Sequence, residues 1–151
     1  AGQYVTVAHL EETLRKSGLY KRGILPGDVV LINTGWSDNY QDPDEKDPES
    51  WHLELFCEQQ LIGTLRSIPP GISYKESSVG RVAVSSDFRH LGLGRDLMLR
   101  AIDFHRYRWG GDIRLSAQAY LKDFYQSLGF VVTKGPYDED DIPHLEMLLA
   151  D

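Results

Sequence analysis

Hydrophobic and polar residues follow one another after residue 50 in an order that predicts alternating strands and helices. Residues 51–58 and 61–68 alternate in polarity, which is typical of a hairpin that turns at Gln59 and Gln60. Residues 78–85 predict a third strand. The remaining hydrophobic segments predict, in order, a helix, a strand, a helix and two strands, at residues 94–109, 112–117, 121–128, 130–133 and 144–149. This order favours a mixed α/β layer over a helical bundle or a β-sandwich.

The first fifty residues show weaker patterns. A short strand over 3–7 and an amphipathic helix over 8–17 are predicted from alternation and from Leu10 and Leu14 on one face. Residues 28–34 are apolar and β-branched and predict another strand. Residues 37–50 hold six carboxylates and two prolines without any period, which indicates a solvated loop.

Length and charge narrow the class of protein. The chain has 151 residues, which is typical of one domain, and a net charge of −7 from 23 acidic and 16 basic residues. That balance argues against nucleic acid as a partner, because phosphates are neutralised by Lys and Arg. A single cysteine excludes an intrachain disulfide and a thiolate zinc cage. No apolar stretch is long enough to span a bilayer, so we expect a cytoplasmic protein without a membrane partner.

The segment around Gly92 and Gly94 is the most informative part of the chain. A predicted strand runs into a glycine-bearing turn, and the turn opens a helix. Glycine allows positive φ angles and close approach of the backbone to a ligand, while the first amides of a helix attract an anion. Arg89 and Arg95 add positive charge at the same end. The pattern therefore predicts a pyrophosphate site, with a glycine turn between two solvated arginines as the alternative.

Two other phosphate-binding loops do not fit this segment. The sequence lacks the GxxxxGK[ST] pattern of a P-loop. It also lacks GxGxxG, because no third glycine follows Gly94 at the required spacing. A dinucleotide site therefore has little support.

The turn from Arg89 to Gly94 resembles the Arg/Gln-x-x-Gly-x-Gly/Ala turn of the GNAT acyltransferases. Residues 79–98 are similar to that family's fourth strand, turn and third helix, and residues 116–130 to its fifth strand and fourth helix. The segments at 40–47 and 137–147 resemble the ElaA-type branch of the family. The resemblance covers about residues 40–151.

This resemblance implies an α/β (α+β) fold with a mixed, largely antiparallel sheet flanked by helices, and acetyl-CoA or CoA as cosubstrate. The residues that it assigns to the pyrophosphate are Arg89, His90, Leu91, Gly92, Leu93 and Gly94, with Arg95 as a neighbour. The backbone of Val82 and Val84 would pair with the pantetheine arm. Tyr125 would protonate the departing CoA thiolate; its alternative role is that of a core tyrosine.

The incoming amine must lose a proton before it attacks the thioester. His144 is a candidate base, since an imidazole titrates near neutral pH and the ElaA-type pattern also has a histidine after Ile-Pro. The carboxylates of Glu139, Asp140 and Asp141 are further candidates, directly or through water, and His52 is a weaker one. A structural histidine at a strand end is the alternative for His144. No metal site is expected.

Residues 1–39 do not resemble the usual start of a GNAT domain. Residues 26–36 are instead similar to a segment of the cyclase/kynurenine-formamidase-like hydrolases, although the metal-binding His-x-Gly-Thr-His-x-Asp motif of that family is absent. This suggests two parts, an atypical segment at 1–39 and an acyltransferase core at 40–151, joined as a natural or engineered chimera.

Three functions follow as hypotheses. The first is an acetyl-CoA-dependent N-acetyltransferase that acts on a small-molecule or peptide amine, with a second copy of the chain, in a homodimer, as a candidate partner. The second is a non-catalytic domain of the same fold that at most binds CoA. The third is a metal-dependent amide hydrolase.

Overall fold

The computed structural model describes residues 45–57 and 60–151, together with the backbone of Val29–Ile32. These residues form one seven-stranded sheet with two helices. The strands are β1 (Val29–Ile32), β2 (Trp51–Cys57), β3 (Gln60–Ile68), β4 (Ser77–Val84), β5 (Ile113–Gln118), β6 (Val131–Glu139) and β7 (Ile142–Leu149), and the helices are α1 (Leu93–Arg108) and α2 (Lys122–Gln126). In the described part of the chain, no helix combines the length and the apolar character needed to cross a membrane.

The sheet has the order β1-β2-β3-β4-β5-β7-β6, and five of its six pairings are antiparallel. The predicted α/β class with a mixed, largely antiparallel sheet is confirmed. Strand β1 pairs with β2 along all four of its residues, so the predicted strand over 28–34 joins the same sheet as the rest of the chain.

The single parallel pairing is short. Strands β4 and β5 pair only at Ser77 with Ile113 and at Ser78 with Arg114. Beyond these two positions the strands separate, and the rest of β4 keeps hydrogen-bonded neighbours only on its β3 side. A gap therefore opens in the sheet toward the C-terminal ends of β4 and β5.

A bulge in β4 accompanies this separation. The register with β3 shifts between Thr64 and Arg66, and Arg81 adopts a φ of 53° at the shift. A bulge bends a strand and increases its local twist. The side chain of Arg81 donates hydrogen bonds of 3.1 Å to both carboxylate oxygens of Asp47, which fixes the bulged residue.

Helix α1 covers one face of the sheet and forms the core with it. Leu97, Met98 and Ala101 are almost fully buried, as are Leu53 and Leu65 on the strands beneath them. Gly63 lets the helix come close, because a Cβ atom at this position would lie 2.9 Å from Cδ1 of Leu97. Alternation along the strands therefore gives the sheet one apolar face, against α1, and one largely polar face.

The predicted elements are found with a few changes. The predicted helix over 121–128 is a 3-10 turn at Ala119–Leu121 followed by α2. The strand expected at 130–133 continues to Glu139 as β6. Asp47, expected in a solvated loop, lies instead in a 3-10 turn and is buried against Arg66, at 2.8 Å, and Arg81. The predicted strand over 3–7 and helix over 8–17 lie outside the described residues.

Two leucines of α1 test this arrangement of the core. Leu97 is completely buried, whereas Leu99 is 42% exposed. Replacing a buried leucine by alanine reduces the apolar surface that folding buries away from water, and it leaves a cavity. L97A should therefore lower the free energy of unfolding by about 2–5 kcal/mol. L99A removes the same atoms from the exposed side of the helix and should cost less than about 1 kcal/mol. Equal losses in urea denaturation would contradict the packing described.

Candidate active site

The gap between β4 and β5 is bounded by backbone on both sides. On β4, Val82 and Val84 lie beyond the last residue paired with β5. On β5, the opposite edge runs from Leu115 to Gln118. An extended ligand that enters such a gap can hydrogen-bond to the free edge of a strand. The backbone of Val82 and Val84 thus stands where the sequence predicted a pantetheine arm, and this assignment stays a prediction.

The glycine turn lies directly after β4. A 3-10 helix at Ser86–Leu91 leads to Gly92, which has a φ of 78° and caps the start of α1. The first hydrogen bond of α1 runs from the amide of Arg95 to the carbonyl of Gly92. The amides that precede Arg95 have no carbonyl within the helix, as at every helix start. A helix of sixteen residues adds its dipole, so this end favours an anion.

Two arginines stand at this turn, and both side chains are exposed. Nε of Arg89 donates a hydrogen bond of 3.1 Å to the carbonyl of Val84, and Nη1 of Arg95 donates one of 3.0 Å to Oγ of Ser127. The second bond joins the start of α1 to the end of α2. His90 and Leu91 are exposed at the same turn. Geometry and charge together suit a pyrophosphate.

Gly94 allows α2 to lie close to the turn. A Cβ atom at Gly94 would lie 3.9 Å from both the Phe124 ring and Cγ2 of Val84. These are ordinary van der Waals distances, so β4, α1 and α2 lie within contact distance of each other at this position.

Tyr125 follows Phe124 on α2 and belongs to the core. Its side chain packs edge-on against the rings of Phe124 and Phe130, and only 6% of the residue is exposed. Burial, with a smaller contribution from Tyr120, raises the pKa of Tyr125 to about 12. The phenol therefore keeps its proton throughout the physiological pH range.

His144 lies on β7, paired with Gln118 of β5 and Tyr137 of β6. Its Nδ1 lies 2.8 Å from the carbonyl of Ile142. A carbonyl can only accept, so Nδ1 carries the hydrogen in this contact and Nε2 is left with its lone pair. A half-buried imidazole held in this tautomer can accept a proton through Nε2.

Tyr125 and His144 lie on opposite faces of the sheet. Leu145 and Met147, the neighbours of His144 on β7 at alternating positions, belong to the same core cluster as Tyr125. Successive side chains of a strand point to opposite faces, so His144 is on the polar face. The two predicted catalytic residues are thus separated by the sheet that contains the gap.

The polar face carries a group of residues that the sequence analysis did not assign. Ser116 and Gln118 alternate with buried residues on β5, and Tyr137 stacks on His144 with a centroid distance of 6.3 Å. Ser116 contacts the hydroxyl of Tyr137 at 2.7 Å and the carboxylate of Glu139 at 3.3 Å. The polar alternation of β5 is the signal that could have identified this face.

Side chains on both faces join the strands where β4 and β5 meet. On the polar face, Arg114 contacts both oxygens of Glu76, at 2.9 and 3.0 Å, and Glu146 at 3.0 Å. These hydrogen bonds lower the pKa of Glu76 to about 2. On the core face, Nδ1 of His105 lies 2.8 Å from the hydroxyl of Ser77. Both contacts hold the closed end of the gap.

No group of three or more His, Cys, Asp or Glu side chains suited to a metal ion occurs in the part of the chain that is described. His52 is buried with Asp47 at 3.6 Å, in contact with the Arg66 and Arg81 cluster. This cluster lies at β2, β3 and the β4 bulge, and the weaker candidacy of His52 as a base stays a prediction.

Comparison with known proteins agrees with this geometry. The family model of the acetyltransferase (GNAT) domain matches residues 44–150. The chain belongs to the GNAT acetyltransferase family. The crystal structure of an acyl-CoA N-acyltransferase from Pseudomonas aeruginosa is 38% identical to this GNAT protein, covers 74% of this chain and 76% of its own, and superposes with a TM-score of 0.69.

ElaA of Escherichia coli is a further relative of this GNAT chain. Its sequence is 32% identical over 111 residues, which cover 72% of each protein. Its crystal structure covers 95% of this chain and 91% of its own, with 26% identity and a TM-score of 0.67. A UPF0039 protein from Synechocystis is 37% identical over 111 residues and 72% of each protein. These relatives confirm the ElaA-type resemblance.

The suggestion of a chimera is not borne out. The ElaA structure aligns with 95% of the chain, well beyond the 107 residues from 44 to 150 that the family model matches. Strand β1, which lies in the segment thought to be foreign, pairs in register with β2 of the acyltransferase core. The division of the chain at residues 39 and 40 stays a prediction.

The buried His105 gives the stability of the protein a dependence on pH. Burial lowers the pKa of His105 to about 4, from an ordinary value of 6.5. Between these two values the unfolded chain binds a proton that the folded chain refuses, so stability falls as the pH falls from 6.5 to 4. The loss reaches roughly 3 kcal/mol, from about 1.4 kcal/mol per unit of pKa.

The variant H105Q should lose this part of the pH dependence, because an amide does not titrate in this range. H90Q removes an exposed imidazole and serves as the control. Urea denaturation between pH 7 and 4 measures both. An H105Q protein with the same slope as the wild type would show that His105 is not responsible.

Proposed function

We propose that this protein is an acetyl-CoA-dependent N-acetyltransferase that transfers the acyl group to a primary amine by direct attack of the amine on the thioester. The observation that carries the proposal is the combination of the glycine turn at the start of α1 with the gap between β4 and β5. A helix start flanked by arginines suits the pyrophosphate of CoA, and the adjacent free strand edge suits the amides of pantetheine. The acyl-CoA N-acyltransferase from Pseudomonas aeruginosa supports the same cosubstrate class.

In this proposal, the amide groups from Arg89 to Gly94 bind the pyrophosphate, and Arg95 adds charge. The backbone of Val82 and Val84 holds the pantetheine arm so that the thioester is directed into the gap. Holding both reactants in one orientation converts a bimolecular reaction into one within a complex. The fold class, the turn and the gap are consistent with this arrangement.

Tyr125 acts on the leaving group. A thiol titrates near ~8.5, well below the pKa of about 12 of the buried phenol, so Tyr125 keeps its proton while the C–S bond breaks. Its contribution is a hydrogen bond to the developing thiolate. This requires only that the phenol be protonated, and burial ensures that.

The amine loses its proton on the polar face. His144, with Nε2 available, and the carboxylates of the β6–β7 hairpin, Glu139, Asp140 and Asp141, are the candidate acceptors. A C–N bond then forms between the nitrogen and the carbonyl carbon and the C–S bond breaks. The sulfur takes up the second proton that the nitrogen loses, so that CoA leaves as the thiol. The acceptor we propose is a small-molecule or peptide amine that is cationic in solution, since the hairpin is rich in carboxylates.

The turn is tested by binding of acetyl-CoA. A ligand that binds only the folded protein raises its melting temperature, so acetyl-CoA should stabilise the wild type. R95A should weaken binding by roughly threefold to tenfold, since a lost surface contact with a phosphate is worth on the order of 1 kcal/mol. R108A removes the same charge from the opposite end of α1 and should bind like the wild type. If acetyl-CoA raises the melting temperature of neither the wild type nor R108A, the turn is not a CoA site.

The leaving-group role is tested by Y125F. Removal of the hydroxyl should lower kcat by about tenfold or more while the affinity for acetyl-CoA stays nearly unchanged. Release of free CoA thiol in the presence of lysine, spermidine or glucosamine measures turnover. Y107F, on the exposed side of α1, is the matched control. Full activity of Y125F would remove the proposed role, and a wild type that binds acetyl-CoA without thiol release would favour the non-catalytic alternative.

A further inference from the structure

A continuous row of hydrogen bonds crosses the polar face next to His144. It runs from the hydroxyl of Tyr137 to the hydroxyl of Ser116, at 2.7 Å, and on to Oε2 of Glu139, at 3.3 Å. The three residues come from β6 and β5, with β7 between them. We propose that this row is the path by which the amine loses its proton, with Glu139 as the final acceptor. The proposal rests on the acyltransferase function proposed above and specifies its base.

The carboxylate sets the direction of the row. Glu139 when ionised can only accept, so the single hydroxyl hydrogen of Ser116 points toward it. Oγ of Ser116 then has only lone pairs left for Tyr137, and the phenol must donate to it. The oxygen of Tyr137 is thereby left as an acceptor at the far end. A proton that arrives there can pass along the row to Glu139.

The open end of the row lies at the gap. Ser116 belongs to the segment of β5 that borders the gap, and it faces away from the core, as Leu115 and Ala117 on either side of it are buried. Tyr137 stacks on His144, which pairs with Gln118 at the last position of β5. The Tyr137 hydroxyl, 2.7 Å from Ser116, therefore lies on the polar face beside the part of β5 that borders the gap.

Glu139 differs from the other carboxylates of this face. Glu76 and Glu146 are both hydrogen-bonded to Arg114, and its bonds to Glu76 lower the pKa of that carboxyl. Glu139 has no ion pair among the described residues, and its side chain is exposed. It can therefore take up a proton and release it to water.

The overall reaction releases one proton, and this proton requires an acceptor such as Glu139. An ammonium and acetyl-CoA give an amide, CoA thiol and one free proton. Two N–H bonds of the ammonium break: one proton goes to the CoA sulfur, and the other passes along the row, where each hydroxyl receives one proton and gives one. The new O–H bond forms on Glu139, which then loses its proton to solvent. His144 then orients the Tyr137 ring by stacking.

The test combines three substitutions with a measurement of the solvent deuterium isotope effect on kcat. Y137F, S116A and E139Q each interrupt the row and should each lower kcat by on the order of tenfold or more. S116T keeps the hydroxyl and should recover most of the activity. A plot of the wild-type kcat against the fraction of D2O in the solvent should be curved, because several protons move in the same step. In S116A this dependence should become linear.

A chemical rescue examines the final acceptor. E139A removes the carboxylate from an exposed position, so added formate should restore part of its activity, whereas S116A should not respond. T133V removes a hydroxyl of β6 that donates to the carbonyl of Glu146, accepts from Arg114 at 3.2 Å and lies outside the row, and Arg114 keeps Glu76 and Glu146 as partners in this variant. It should retain wild-type kcat.

The outcomes separate the path from the enzyme's function. If S116A and E139Q turn over at the wild-type rate, or if S116A keeps the curved deuterium dependence, the path is wrong while acyl transfer stands. If the wild type releases no CoA thiol with any of the amines, the proposed function fails and the path with it. Loss in S116A without recovery in S116T, with unchanged solvent dependence, would reduce Ser116 to a packing role.

Discussion

Two strands that pair at only two positions, and then part, set the geometry of this protein. Strands β4 and β5 would continue as neighbours if nothing prevented it, because paired backbone is more favourable than a free strand edge. The Arg81 bulge, held by Asp47, bends β4 away, while Arg114 and its two carboxylates hold the closed end. The gap therefore results from the bend of β4 on one side and from the Arg114 ion pairs at the closed end.

The two faces of the sheet differ in polarity on either side of the gap. The face under α1 is apolar, which raises the pKa of Tyr125 and excludes the protonated form of His105. The opposite face places Ser116 in contact with both Tyr137 and Glu139, with His144 stacked on Tyr137. A reaction in the gap thus has a neutral hydrogen-bond donor on one side and proton acceptors on the other.

Local patterns were sufficient to predict most elements and the glycine turn. Alternation in β2 and β3, and the run from strand to glycine to helix around Gly92, depend on near neighbours in the sequence. The row from Tyr137 to Glu139 could not be predicted, because two irregularities in β6 shift its pairing with β7 between Val132 and Tyr137. The burial of Asp47 was also missed, since its partners Arg66 and Arg81 are distant in sequence.

The distribution of charge gives the excess of acidic residues a physical meaning. Arginines and a helix start lie on the β4 side of the open end of the gap, at the turn after β4, whereas Glu139, Asp140 and Asp141 lie on the β5 side of that end, on the β6–β7 hairpin. In the proposed reaction, an anionic cosubstrate and a cationic amine are each attracted to a different side of one opening. Screening limits such attraction to about 8–10 Å in physiological salt, so it acts mainly within the gap. For the proposed reaction, this field would order the two reactants where they meet and would oppose binding in the reverse arrangement.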